Sequence, residues 1–206
     1  MSGYSSPNGL AAVLFSAIGG ALAMTVFMGL LLWATSPSPG FVPLTSAALG
    51  ALSGAILAYF QAKAIQPLAP KGLIPGTAAA AAIGAPVSIS VAFPFLLVFG
   101  ELGIAMGGLA LGFAFSAGQF IVLRKHFSGT WPWMPISSLA LAVGFVVAFP
   151  ITSALRLGFY PPFSPGWTAV GAIAGLTYGL LTGIAIACSR LRERYRTIPS
   201  NGTRAA

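Results

Sequence analysis

A chain of 206 residues that is 57% hydrophobic and only 6% charged cannot clothe a water-facing surface, because a soluble domain carries about 25% charged residues. Its mean hydropathy of +0.91 puts most of the exterior against lipid. The net charge of +8 does not point to nucleic acid: the cations gather at the ends of apolar stretches, where membrane topology and anionic lipid account for them.

A spanning helix needs roughly 20 predominantly apolar residues. Six stretches meet that length: Leu10–Thr35, Pro43–Ile65, Leu73–Phe99, Leu102–Leu123, Met134–Leu155 and Trp167–Ser189. They are long and nearly unbroken, whereas a membrane barrel would alternate in segments of roughly ten residues. The first has no Lys or Arg before it and exceeds the roughly 7–15 residues of a signal-peptide core, so it reads as a span.

The connections carry the orientation. Neither the segment before helix 1 nor the Pro-rich connection to helix 2 holds a cation, and the next connection holds Lys63 and Lys71. Glu101 stands between helices 3 and 4, Arg124 and Lys125 follow helix 4, and Arg156 follows helix 5. The tail holds Arg190, Arg192, Arg194, Arg196 and Arg204. Nine of the ten Lys and Arg residues therefore fall on one side of the pattern. The positive-inside rule then expects both termini in the cytoplasm, in a bacterial inner membrane. Arg190, Arg192, Arg194 and Arg196 are expected to continue helix 6 and to touch anionic lipid. Tyr160, Trp167, Trp131 and Trp133 suit the interfacial aromatic belts.

The spans repeat. Helix 2 carries Gly50, Gly54 and Gln61, and helix 4 carries Gly108, Gly112 and Gln119 at the same spacing. Helix 6 carries Gly171, Gly175, Gly179 and Gly183, with Thr182 in place of Gln. Val91-Ala-Phe-Pro94 in helix 3 returns as Val147-Ala-Phe-Pro150 in helix 5, and helix 1 is the divergent copy with Val26-Phe-Met-Gly29. Three successive hairpins, at about 10–65, 73–124 and 134–190, followed by a basic tail from 191, make one domain of parallel repeats. Glycines four apart share a helix face. Without side chains a neighbouring helix can come close and gain van der Waals contact, which drives association where lipid gives no hydrophobic force. Pro94 and Pro150, with Pro86, should kink their helices.

Catalytic chemistry is scarce. The spans carry essentially no ionisable residue, although such residues mark most intramembrane relays. The single His, single Cys and two acids do not fall into metal-ligand or nucleophilic spacings. His126 could ligate a pigment, but a His beside Arg124 and Lys125 is ordinarily solvated. Cys188 cannot form an internal disulfide. Intramembrane Ser and Thr can bond their own helix carbonyls. Gln61 and Gln119 are expected to bond across helices near the basic side, or to meet a ligand there.

The run Gly112-Phe-Ala-Phe-Ser-Ala-Gly-Gln119-Phe-Ile-Val-Leu-Arg124, then Trp133 and Ser137-Ser-Leu-Ala-Leu-Ala-Val-Gly144, resembles a motif of small bacterial multi-span membrane proteins, and Tyr178-Gly-Leu-Leu-Thr-Gly183 resembles their last helix. The likeness covers about residues 105–190. It departs at Phe120, where Trp is usual, and after Gln61, where Leu-Arg is missing. The resemblance implies a fold and no activity.

The expectation is an all-α, six-span protein of three hairpins, with the even helices packed tightly through glycine. No enzyme activity and no cofactor are expected. The expected role is a structural or accessory subunit that packs against lipids and other membrane subunits. A small-solute transporter or channel subunit, or a protein binding a pigment, quinone or lipid, is the alternative.

Overall fold

The computed structural model describes residues 9–35, 42–66, 69–125, 127–128, 130–158, 164–188 and 192–193. Six helices carry the fold: α1 (Gly9–Thr35), α2 (Val42–Ala64), α3 (Leu73–Phe99), α4 (Glu101–Leu123), α5 (Trp133–Ala154) and α6 (Pro165–Cys188). All six contain a stretch long and apolar enough to cross a membrane, and the chain is an all-α, multi-pass integral membrane protein. The helix limits fall within two residues of those read from hydropathy, because the same Pro, Gly and charged residues that end an apolar run also end a helix.

Local chemistry sets the sharpest limits. Ser164 caps α6: its Oγ accepts the Trp167 backbone N–H at 3.2 Å, and Pro165 occupies the first helical position, where a missing N–H costs nothing. The α3–α4 turn rests on Gly100 at φ 56°, a conformation that disfavours any side chain. At the end of α5 the Leu157 N–H reaches Thr152 O at 3.3 Å and the Arg156 N–H reaches Ser153 O at 3.0 Å, with Arg156 at φ 53°. That pattern satisfies the last carbonyls in the manner of a Schellman cap, with Arg in the seat that glycine prefers.

The helices form a closed ring. Each packs on its two sequence neighbours, and α6 returns to pack on α1. The glycine stripe of each even helix lies on the odd helix that follows it around the ring. On α2, a Cβ added to Gly54 would stand 2.7 Å from Ala81 Cβ of α3. On α4, one added to Gly112 would stand 2.8 Å from Ser138 Cα of α5, and one on Gly108 would meet Phe145 Cδ2 at 2.8 Å. On α6, Gly171, Gly175 and Gly179 lie against the carbonyls of Met24, Gly20 and Ser16, and a Cβ on Gly183 would stand 2.7 Å from Val13 Cα. The stripes thus bring even helices onto odd ones, and α6 onto α1 most closely. Pro86 and Pro94 lie within α3 and Pro150 within α5, each removing one backbone donor from its helix.

The side of the even helices turned to the ring axis stacks in layers four residues apart. Leu57, Phe115 and Tyr178 form one layer, each no more than 1% exposed. Gln61, Gln119 and Thr182 form the next, and Ile65, Leu123 and Ile186 the third, all buried. Met24, Phe27, Leu141 and Phe145 of the odd helices join the first layer in one apolar core.

One expectation is corrected. Arg192 and Glu193 do not extend α6: β2 (Arg192–Glu193) pairs antiparallel with β1 (Phe127–Ser128) in a two-residue ladder, and Arg190, Arg194 and Arg196 lie outside the described residues.

Candidate functional site

The ring has a basic end, where Lys63, Lys71, Arg124 and Lys125 stand, and a far end where α3 meets α4 and α5 leads to α6. The polar interior lies toward the basic end. Most hydroxyls there are already used: Thr77 donates to Leu73 O at 2.7 Å, Ser116 to Phe113 O at 3.0 Å, and Thr182 to Tyr178 O at 2.8 Å, each on its own helix.

The amides behave differently. The Gln119 Nε2 donates to Gln61 Oε1, joining α4 to α2, which are not neighbours in the ring. Trp133 Nε1, at the start of α5, donates to Gln119 Oε1 at 2.6 Å. An indole N–H can only donate, so Gln119 must turn its oxygen to Trp133 and its nitrogen to Gln61. Gln61 must then accept with its oxygen and leave its own Nε2 outward. That nitrogen has no partner, though Gln61 is only 3% exposed. The Tyr178 hydroxyl faces Ser137 and Gln61, yet Tyr178 Oη and Ser137 Oγ also lack a partner with hydrogen-bond geometry. A directed chain of donors therefore runs from α5 through α4 to α2 and stops at three unsatisfied groups.

A cavity of about 80 Å³ adjoins this chain at the basic end. Gln61, Gln119, Trp133 and Thr130 give it polar edges, and Ile65, Leu123 and Ile186 line it from the three even helices. Two cations of this end rest on aromatic rings. Lys63 Nζ sits 5.7 Å from the Tyr59 ring centroid and Arg124 Cζ 5.7 Å from that of Phe120, each over an aromatic of its own helix.

The far-end cavity is apolar in most of its lining. A cavity of about 320 Å³ lies between α1, α3, α4, α5 and α6, among residues that include Phe27, Ile89, Ala92, Leu111, Phe145 and Trp167. Among the described residues its polar groups are the Trp167 indole N–H and the Ser88 hydroxyl, which donates to Ala85 O at 2.9 Å. A second cavity of about 210 Å³, between α4 and α5, shares Ile104 and Phe145 with it. Trp167 packs edge-on against Phe149, ring centroids 5.3 Å apart.

Gln61 and Gln119 are thus brought into direct contact, while Gly50, Gly54, Gly108, Gly112, Gly171, Gly175, Gly179 and Gly183 stand at helix–helix contacts away from the three cavities, save Gly108, which lines the one of about 320 Å³. His126, Arg190, Arg194, Arg196 and Tyr160 lie outside the described residues, and so do the side chains of Arg192 and Glu101. Trp133 is more than a belt residue: it is half-buried and its indole turns inward, while Trp131 is 73% exposed. Sequence reasoning missed Tyr178 and Ser137 as members of the polar group. The spacing held a signal for Tyr178, which precedes Thr182 by the same interval that separates Phe115 from Gln119 and Leu57 from Gln61. Comparison with protein-family models, with curated proteins and with solved structures finds no match to the chain.

Proposed function

We propose that the chain is a non-enzymatic protein of the bacterial cytoplasmic membrane, with both termini in the cytoplasm, that holds the hydrocarbon part of a membrane-soluble molecule in its far-end cavity. The observation that carries this reading is the cavity of about 320 Å³ inside the ring, within the roughly 300–1,000 Å³ of small-molecule sites. Its one described hydroxyl is already bonded to its own helix, so among the described residues the lining offers no free hydroxyl and no charged side chain to recognise a polar group. An occupant is selected by shape and apolar contact, and the surrounding bilayer supplies such molecules.

Extraction of the protein purified in mild detergent, followed by mass spectrometry, tests the reading. A lipid-soluble species in fixed ratio to protein is the expected result, and Ser88→Leu, which fills the cavity with a larger apolar side chain, should abolish it while leaving helix content intact. Wild-type protein carrying no such species would end the proposal.

A small-solute carrier is the second reading. It is favoured by cavities at both ends of one ring, separated by the layer of Leu57, Phe115 and Tyr178. An accessory-subunit role draws no support from the glycine stripes, which are covered within the ring. A partner would have to dock on exposed aliphatic residues such as Leu44, Ile83 and Leu139.

A further inference from the structure

The seam between α4 and α5 is close-packed over only part of its length. The α4 stripe lays Gly112 on Ser138, and Gly108 on Ala142 and Phe145. Four residues further toward the far end the stripe position holds Ile104 in place of glycine. A branched side chain there denies the close approach that glycine allows, and the cavity of about 210 Å³ opens at that level. Leu102 and Val146 line it, and each is more than half exposed. On a ring set in a bilayer that exposure is to lipid. On the inner side, Ile104 and Phe145 also line the far-end cavity of about 320 Å³. Two side chains therefore stand between an interior cavity and the surrounding hydrocarbon.

We propose that this seam is a side entrance from the bilayer, and that the molecule held is a membrane phospholipid, with one acyl chain threaded between Ile104 and Phe145 into the far-end cavity and its head left outside the ring. The proposal rests on the reading that the far-end cavity holds hydrocarbon. Depth selects an acyl chain. Along α4 the lining runs from Leu102 to Leu111, nine residues on, or about 13 Å of helix. One leaflet's hydrocarbon is roughly 15 Å deep, half of a core of roughly 30 Å. The entrance lies in the first turns of α4, where lipid chains of the far-end leaflet begin. Trp167, in the first turn of α6, lines the cavity at the same end, the depth at which indoles meet headgroups. The head stays outside because no described residue of either lining is ionisable, and a charge drawn inside would lose its hydration without a counter-charge. The entrance opens by rotation of two side chains, while Gly108 and Gly112 keep the helices in contact.

The test uses the full-length protein reconstituted in vesicles of dioleoylphosphatidylcholine, re-extracted in mild detergent and weighed by native mass spectrometry. One retained phospholipid per chain is expected. Ala105→Trp fills the entrance and Ser88→Leu fills the far-end cavity, and each should lower retention roughly tenfold or more. Phospholipid lost in Ser88→Leu but kept in Ala105→Trp would overturn the side entrance and leave the far-end reading standing. So would wild type that keeps a lipid-soluble species and no phospholipid. Phospholipid kept in Ser88→Leu would be lipid bound outside the ring, and would overturn the proposal. Wild type that keeps nothing would end both readings. Ile104→Ala widens the passage and adds no bulk: exchange of the bound lipid for deuterated phosphatidylcholine should quicken roughly tenfold, and an unchanged rate overturns the proposal. Where Ala105→Trp loses its helix content, that rate decides alone.

Discussion

The two ends of the ring solve the same packing problem in opposite ways. At the basic end the interior holds two amides, an indole N–H and two hydroxyls without a partner, and its cavity is small. At the far end the interior holds aromatic and branched side chains around a cavity about four times larger. Helices α3 to α6 line both cavities, joined by α2 at the basic end and by α1 at the far end. Amides at the axis draw α2, α4 and α5 together through directional bonds. At the far end apolar side chains share no such direction, and a void remains where Ala92, Gly107 and Gly108 line it with little side-chain volume. Polar contacts specify the ring at one end, and bulk alone fills it at the other.

The comparison breaks most completely if the ring itself opens. Gly175→Leu would drive its Cβ into the Gly20 carbonyl, backbone that cannot rotate aside. We expect a loss of more than about 3 kcal/mol, seen as a collapse of thermal stability in detergent with the properties of both ends lost together. If both ends survive the substitution, closure of α6 on α1 is not what holds them.

A smaller effect separates the ends. Gln119→Leu strands Trp133 Nε1 and Gln61 Oε1 at once and should cost about 1–3 kcal/mol. The double variant Gln61→Leu with Gln119→Leu should cost less than the sum of its parts, because Gln61 Oε1 is no longer stranded, though Trp133 Nε1 still is. Equilibrium unfolding of the two singles and the double measures that coupling, and occupancy of the far-end cavity should not change in any of them. The smallest effect sharpens the account of the unsatisfied groups. Tyr178→Phe removes a buried hydroxyl that has no partner, so stability should stay within about 1 kcal/mol of wild type and move upward. A clear loss would place a bridging water between Tyr178, Ser137 and Gln61.

Much of the fold was legible before any coordinates. Apolar length fixed the number of spans, and Pro, Gly and charge fixed their ends, because a helix in lipid must satisfy its own backbone and stops where that becomes impossible. The recurrence of Gln at one spacing singled out Gln61 and Gln119. The ladder between Arg192–Glu193 and Phe127–Ser128 was overlooked, because a basic run after an apolar helix also reads as a snorkelling extension of it. Trp133 was read as a belt residue because composition tells nothing of which way an indole turns.

From residue order alone come the solvent, the six crossings, the charge skew and the close-packing faces, since each depends on local composition or on a period along one helix. Ring closure of α6 on α1, the landing of each glycine stripe on the next odd helix, and the meeting of Gln61, Gln119 and Trp133 belong to the tertiary structure. These are contacts between residues far apart in the chain, and a one-dimensional pattern states which faces must be covered but not by whom.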